Sequence, residues 1–464
     1  MTATDPRYRF AGTAGAVWLG LPLLPVVTIA GTVAATVAAL FVGAPLPVGA
    51  VLLAAGAAVA LVPVSGRSLV EWLPPSRRHG AAATAGATRW TAPLGSPQPS
   101  ARWTVASPGG HGRLTLVDHD GIAVVDDPAA RVTTAVLAVA GTDRFALLDP
   151  GEQARLLAGW GDAIAALAAD PGLRRLQWVE RAGPERDELD RWLTDRHAGV
   201  DDAAVADYRA MAAGVTAMTV RHEVYLALAY ARRRTGGGAE TVAAVRDALR
   251  GLLIADLAAR PLTVTECAWL LRRYRDIDVD AATPLHRGEQ VGPASQLRRW
   301  DHLRTDDTVH RTFAVTGWPR VPVTPGWLEP LLLATPPSVH RTVAVHLVPV
   351  PQAAAVRQAR AARSRARLDA ADRTRFGLTD TAAVTAAAEE ATAAEEELVA
   401  GYRLTRMSAV VTCSASSLEE LDEGCRAVRT AAAAARLDLR ACHGEHDLGL
   451  LASMPLCRPS GRPR

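Results

Sequence analysis

The chain has 464 residues, 51 basic and 48 acidic side chains, and a net charge of +3. That near-balance excludes the basic surplus of a nucleic-acid-binding domain, which shows a pI above ~9 and basic clusters on one face. All 51 basic residues are arginine, because the chain lacks lysine, as it lacks asparagine, and a P-loop is excluded with them, since its lysine must reach the β/γ-phosphates.

Phe10 to Gly66 carries no charged side chain. A spanning helix needs ~20 mostly apolar residues, so the run has room for two spans. Gly43, Ala44, Pro45 and Pro47 interrupt it, which predicts one span over Trp18–Val42 and another over Leu46–Val64. Pro22 and Pro25 imply a kink or a broken first turn in the first span. Arg7 and Arg9 precede the pair, and Arg67, Arg77 and Arg78 follow it. Basic flanks mark the cytoplasmic side, so both ends are expected in the cytoplasm of an inner-membrane protein. The rival is a cleaved signal peptide, against which the second apolar run argues. Five cysteines, odd in number and without C-x-x-C spacing, suit a reducing compartment.

Gly80–Ser100, rich in Ala, Gly, Thr, Pro and Ser, is expected as a connector. Arg113–Val117 and Gly121–Val125 then predict a hairpin, and Thr133–Leu148 a β-rich run. Helical spacing predicts a helix over Pro150–Asp170, and strands follow at Arg174–Arg181 and His222–Ala231, with polar helices over 187–197 and 201–211 between them. Helices are expected at Ala239–Asp256 and Thr263–Tyr274. The order then repeats: strand Val309–Val315, helix Pro325–Ala334, strand Val339–Val350, strand Tyr402–Ser414, helix Leu418–Leu437, and one or two strands over Leu439–Pro455. Val136 answers Phe313, Trp178 answers Val345, Val224 answers Val410 and Val245 answers Leu421. This suggests an internal duplication of a split βαβ, ferredoxin-like unit.

Between the last two long strands, Pro351 to about Arg373 is a basic, Ala-rich helix and Asp380 to about Tyr402 an acidic one. Folded at Gly377 they form a self-neutralising antiparallel hairpin; the alternative for the basic half is contact with nucleic acid or anionic lipid. The fold class expected is α+β: two N-terminal transmembrane helices, then two ferredoxin-like cytoplasmic domains with a long helical hairpin. The boundaries are 1–17 for a cytoplasmic N-terminus, 18–64 for the membrane hairpin and 65–112 for a linker. The two domains follow at 113–280 and 300–464, with a helical insertion at about 351–402.

Chemistry is sparse. No H-E-x-x-H or G-x-S-x-G occurs, and Gly236-Gly237-Gly238 is a flexible turn. Cys442-His443-Gly444-Glu445-His446, with Cys457, is the one metal-like cluster, but it lacks paired ligand spacing. His222 with Glu223, and His302 with Asp301, are isolated pairs, and Trp300 lies among charges. No catalytic, cofactor-binding or metal residue is assigned, no cofactor is expected, and the chain is read as a non-enzyme.

Three stretches carry a resemblance. They are Ala146-Leu-Leu-Asp-Pro-Gly-Glu-Gln-Ala-Arg-Leu-Leu-Ala-Gly-Trp-Gly161, Arg175-Leu-Gln-Trp-Val-Glu-Arg181 and Arg221-His-Glu-Val224, and Ala452-Ser-Met-Pro-Leu456 continues it. The chain resembles a family of actinobacterial membrane proteins from conjugation-like type IV secretion loci. Its soluble part is similar to the N-terminal, non-ATPase region of conjugative traffic ATPases. It is similar too to the two-span EccE component of type VII secretion. The resemblance implies a membrane-anchored assembly subunit that docks a separate ATPase. Other membrane subunits and membrane lipid are the further partners, and an oligomer is compatible with it. A membrane-tethered enzyme is the alternative of another class.

Overall fold

The computed structural model describes residues 23–64, 66–92, 102–105, 114–140, 147–184, 203, 207, 210, 220–232, 237–279, 291–319, 321–333, 336, 338–375, 382–399 and 403–458. The polar helices expected over 187–197 and 201–211 fall outside these residues, three isolated positions aside.

Two apolar helices come first, α1 (Leu23–Phe41) and α2 (Leu46–Leu61). Leu24–Phe41 is long and apolar enough to cross a membrane, and little of it is buried in the protein; α2 is apolar but only 16 residues long. The break lies where Gly43, with φ +90°, and Pro45 place it. The helices pack through small residues. A Cβ on Gly56 would lie 2.3 Å from Thr32 Cγ2, and one on Gly49 3.2 Å from Thr36 Cγ2. Thr28, Thr32 and Thr36 return their hydroxyls to the carbonyls four residues back, which satisfies these polar groups within α1. Such small-residue seams let apolar helices approach closely. Gly56→Leu is therefore expected to force α1 and α2 apart, seen as lost cysteine cross-linking across the seam; unchanged cross-linking would contradict this.

After α2 the chain forms a minimal ladder, β1 (Pro63–Val64) with β2 (Arg67–Ser68), then a 3-10 turn at Leu69–Trp72 and helix α3 (Leu73–Thr84). The strands that follow are β3 (Arg89–Thr91), β4 (Arg102–Val105), β5 (Leu114–His119), β6 (Ile122–Asp127) and β7 (Val132–Ala140). Next come α4 (Pro150–Ala169), β8 (Leu173–Pro184), β9 (Val220–Ala231), α5 (Gly237–Ile254), β10 (Ala258–Pro261) and α6 (Val264–Arg273). The rest comprises β11 (Ser295–Arg298), β12 (Leu303–Thr305), β13 (Thr308–Gly317), α7 (Glu329–Leu333), β14 (His340–Pro349), α8 (Gln352–Arg375), α9 (Ala382–Val399), β15 (Thr405–Ala415), α10 (Leu418–Ala434), β16 (Asp438–Ala441) and α11 (His446–Ser453).

Local chemistry sets several boundaries. Asp149 caps α4 by accepting from the N–H groups of Gly151 and Glu152, with Pro150 already fixed in helical φ. Thr263 and Glu266 form a reciprocal capping box at α6. The stretch expected as a connector is more structured than its composition suggests. Pro74 and Pro75 occupy the first turn of α3, where their missing N–H groups cost nothing, and Trp90 lies in β3. The C-terminal end also departs from expectation: β16 is short, and α11 follows where a further strand was expected.

The architecture is α+β, with one 14-stranded antiparallel sheet among the described residues. Its main path runs β3-β11-β12-β13-β15-β14-β8-β9-β7-β6-β5-β4, with β10 on β7 and β16 on β13. This order is symmetric about its centre. The first half, β7-α4-β8-β9-α5-β10, pairs its strands in the spatial order β10-β7-β9-β8. The second, β13-α7-β14-β15-α10-β16, pairs as β16-β13-β15-β14. The halves share a single sheet, because β8 lies antiparallel to β14 from Ala182 opposite Arg341 to Leu176 opposite Leu347. Val345 faces Trp178 at this seam, so these two answering residues are direct neighbours. Val136 and Phe313, by contrast, lie in cores on opposite faces of the sheet. The sequence-level match of those strands is out of register, and a one-residue slip exchanges faces.

Sheets this wide curl. Val105 at one end bridges Val291, whose N–H donates to Thr104 O at 2.9 Å, and Ala92 beside β3 donates to Ala294 O at 2.8 Å. The β4 end of the sheet therefore meets the segment that leads into β11. Helices α4 and α5 cover one face of the first half, with Leu167, Val245 and Leu252 against Leu226 and Leu228. Helices α7 and α10 cover the same face of the second half, with Leu331, Leu421 and Val428 against Phe313 and Val411. The opposite face encloses α6, α11 and the C-terminal Met454–Cys457.

Candidate functional site

The apolar helix pair is joined to the sheet through a compact set of side chains. Ser68 N–H donates to Glu71 Oε2 at 3.0 Å and starts the 3-10 turn that ends at Trp72. The Trp72 indole N–H donates to Val64 O at 2.9 Å, and the Arg67 guanidinium lies 5.3 Å from the Trp72 ring centre. These contacts hold Trp72 just beyond α2. Its ring lies 5.8 Å from Trp300 and 6.0 Å from His443. His443 stacks on Trp300 at 6.2 Å and 8°, and His79 of α3 meets Trp300 edge-on at 5.5 Å. Aromatic pairs of this kind contribute ~0.5–1.5 kcal/mol each beyond their buried area. Gly444, with φ +72°, closes the stack: a Cβ there would lie 2.6 Å from Trp300 Cζ3.

Ion pairs complete the junction. Arg67 reaches Glu445 at 3.6 Å, and Asp447, 7 % exposed, takes Arg78 at 3.2 Å and Arg298 at 3.3 Å. Arg78 comes from α3 and Arg298 from β11, so one buried carboxylate ties the segment after the apolar helices to the sheet. Burial pushes His446 down to about 3 and lowers His443, which keeps both imidazoles neutral within this arginine-rich contact.

This is where the metal-like cluster lies, and its parts diverge. Glu445 turns to Arg67, His443 stacks on Trp300, and His446 Nδ1 accepts from Thr312 N–H at 3.2 Å. The buried Cys442 thiol is raised to about 11. Cys457 lies elsewhere, with its Sγ 3.3 Å from Ala227 O. Among the described residues no group of three such side chains converges to hold a metal. Trp300, read as lying among charges, is the centre of the stack. Gly238 permits close packing in the first turn of α5, where a Cβ would strike the His119 ring.

A second polar group sits on the seam between the halves. Glu180 of β8 accepts from Arg341 Nη2 of β14 at 2.5 Å and is 2.7 Å from His222 Nδ1 of β9. The Arg341 side chain is fully buried and also donates to Leu331 O, whereas His222 is half-exposed. His222 is thus partnered by Glu180. Glu223 points to the other face, where it meets Arg181 at 3.4 Å and Arg273 at 3.1 Å. His302 does pair with Asp301, at 3.0 Å.

The enclosed face of the second half carries a buried polar network. The His310 ring lies between Thr305 Oγ1 at 2.6 Å and Ser414 Oγ at 2.7 Å. Thr305 donates its own proton to Arg275 O, so Nε2–H of His310 donates to Thr305, and Nδ1 accepts from Ser414. A serine–imidazole contact resembles nucleophile chemistry, but both side chains are buried and every position is satisfied locally. Gln177 grips the C-terminal segment: Nε2 donates to Ala452 O and Met454 O at 2.9 Å each, and Oε1 accepts from Cys457 N–H at 2.6 Å. His346 Nε2 donates to the same Ala452 O at 2.9 Å. Burial lowers His310 to about 3, and burial with Arg175 lowers His346 to about 4.

These histidines fix the sign of a pH dependence. Unfolded, they titrate near ~6.5, so below that pH the unfolded chain binds more protons than the folded one. Stability is full above ~6.5 and declines as pH falls, by up to about 1.4 kcal/mol per unit for each buried histidine. Melting temperature is expected to drop between about pH 7 and pH 5, with a shallower drop in His346→Gln. A level profile would contradict the buried, neutral assignment.

No protein-family model matches the chain, and no curated protein matches it. The basic flanks Arg67 and Arg78 are legible in the sequence; Trp72, Asp447 and the Glu180–Arg341 pair are not. Asp447 follows the cluster directly, and Glu180 lies within the stretch Arg175–Arg181. Their arginine partners, more than a hundred residues away in the chain, carry no local signal.

Proposed function

We propose that the protein is a membrane-anchored structural subunit of a bacterial secretion or conjugation machine that docks a separate ATPase. In this reading α1 and α2 are two spans, the arginines beyond them face the cytoplasm, and the sheet is a cytoplasmic body. Each half would be a split βαβ, ferredoxin-like unit, in keeping with the strand order β10-β7-β9-β8 and its counterpart. The junction carries the proposal. Trp72, Trp300 and Arg78 tie the apolar pair to the body around the buried Asp447 carboxylate, as a load-transmitting anchor needs and a flexible tether does not. The absence of lysine supports a non-hydrolytic role. The test is a pull-down with the detergent-solubilised full chain from a GC-rich actinobacterial lysate, with and without ATP. Recovery of a P-loop ATPase is expected. Tight ATP binding by the purified chain, with no such partner recovered, would overturn docking.

One observation favours a second reading, a membrane-tethered enzyme. The buried Glu180 orients a half-exposed His222, an arrangement suited to a general base. His222→Ala discriminates: it leaves partner recovery intact if the role is structural.

A further inference from the structure

Helices α8 and α9 form an arm. They pair antiparallel and are joined to the body through a small core of Val350, Ala355, Ala359 and Leu398, with Ala354 and Leu404. The 24 residues of α8 extend ~36 Å at 1.5 Å per residue. Past Ala359 no apolar cluster holds the two helices together among the described residues.

Among the described residues, two ion pairs join α8 to α9. Arg360 and Arg363 share a single carboxylate, Glu395, at 4.0 and 2.7 Å. Arg357 and Arg367 stand exposed on the same side of α8 as Arg360, at spacings of three and seven residues. Leu368, 65 % exposed, lies in the same stripe. On α9, Glu389, Glu396 and Glu397 form an exposed stripe around the small Ala393. One arm therefore carries a basic stripe with an apolar side chain and an acidic stripe with room for one.

We propose that the arm is a self-association surface whose occupant is the arm of a second copy of this chain. Two stripes of opposite sign on one element are self-complementary. Related by a two-fold axis, the α8 stripe of each copy meets the α9 stripe of the other, an isologous contact. Assembly covers Leu368 and turns a thinly packed helix pair into a four-helix bundle, the packing such helices need for stability in water. A polyanion is a poorer occupant, because the acidic stripe stands beside the basic one and repels it.

The experiment uses the purified full chain in detergent and reads protein mass by light scattering. Arg357→Glu/Arg367→Glu makes the arm acidic, and Glu389→Arg/Glu396→Arg makes it basic; both leave Arg360, Arg363 and Glu395 in place. Wild type is expected to be a dimer that dissociates as salt rises from roughly 0.1 to 1 M, where screening shortens from ~10 to ~3 Å. Each variant alone is expected to be monomeric, with unchanged helix content. An equimolar mixture should restore a dimer with one copy of each. A wild type that stays monomeric, a dimer that survives both variants, or a mixture that stays monomeric would each overturn the proposal. So would a monomer that binds anionic vesicles through the basic stripe.

Discussion

Glu180→Ala is expected to destabilise the protein by about 3–5 kcal/mol, the usual effect of removing one partner of a buried ion pair. The Glu180 side chain is 4 % exposed and the Arg341 side chain 0 %. Removing the carboxylate strands a guanidinium between β8 and β14 with Leu331 O as its remaining partner. Arg341 Nε and Glu180 Oε2 already lack hydrogen-bond partners, so the pair is not an optimised source of stability. Its value lies in specification: a charged pair across the seam fits one register of β8 against β14. The double variant Glu180→Leu/Arg341→Met should therefore lie much closer to wild type than Glu180→Ala. Denaturant or thermal unfolding of the three proteins decides this. A Glu180→Ala cost below about 1 kcal/mol, the range of an exposed pair, would contradict the buried assignment.

Asp447→Ala is the second large effect, again about 3–5 kcal/mol, because it leaves Arg298 of β11, with 6 % of its side chain accessible, uncompensated. It also frees α3. Limited trypsin digestion should then cut after Arg77 or Arg78, which docking protects in the wild type. Arg78→Ala is expected to be milder, about 1 kcal/mol, because that side chain is 32 % exposed and screened by solvent. Equal effects from the two variants, or no new cleavage in Asp447→Ala, would show that Asp447 does not hold the junction.

Much of the fold was legible in local chemistry. The hairpin of β5 and β6 and the helical spacing of α4 and α6 follow from short-range pattern. The repeated order of elements was legible too, but Trp178 and Val345, matched as equivalent positions of the two halves, are in fact neighbours across the seam. Register was not, since strands buried on both faces show no alternation to fix it: Val136 and Phe313 were matched across opposite faces. The α11 segment is short, apolar and interrupted by Gly449, and such a run does not distinguish helix from strand. Gly449 is there for packing, since a Cβ would lie 2.6 Å from Thr312 Cβ. The junction was half visible. Cys442–His446 stood out by residue type, but metal ligation and aromatic docking draw on the same side chains. Only the position of Trp72 and Trp300 separates them.

Membrane anchorage is tested most directly by alkaline carbonate extraction of membranes from cells expressing the intact chain. The full-length protein is expected to stay in the pellet, and deletion of residues 23–61 to move the body to the supernatant. Intact protein released into the soluble fraction would contradict it.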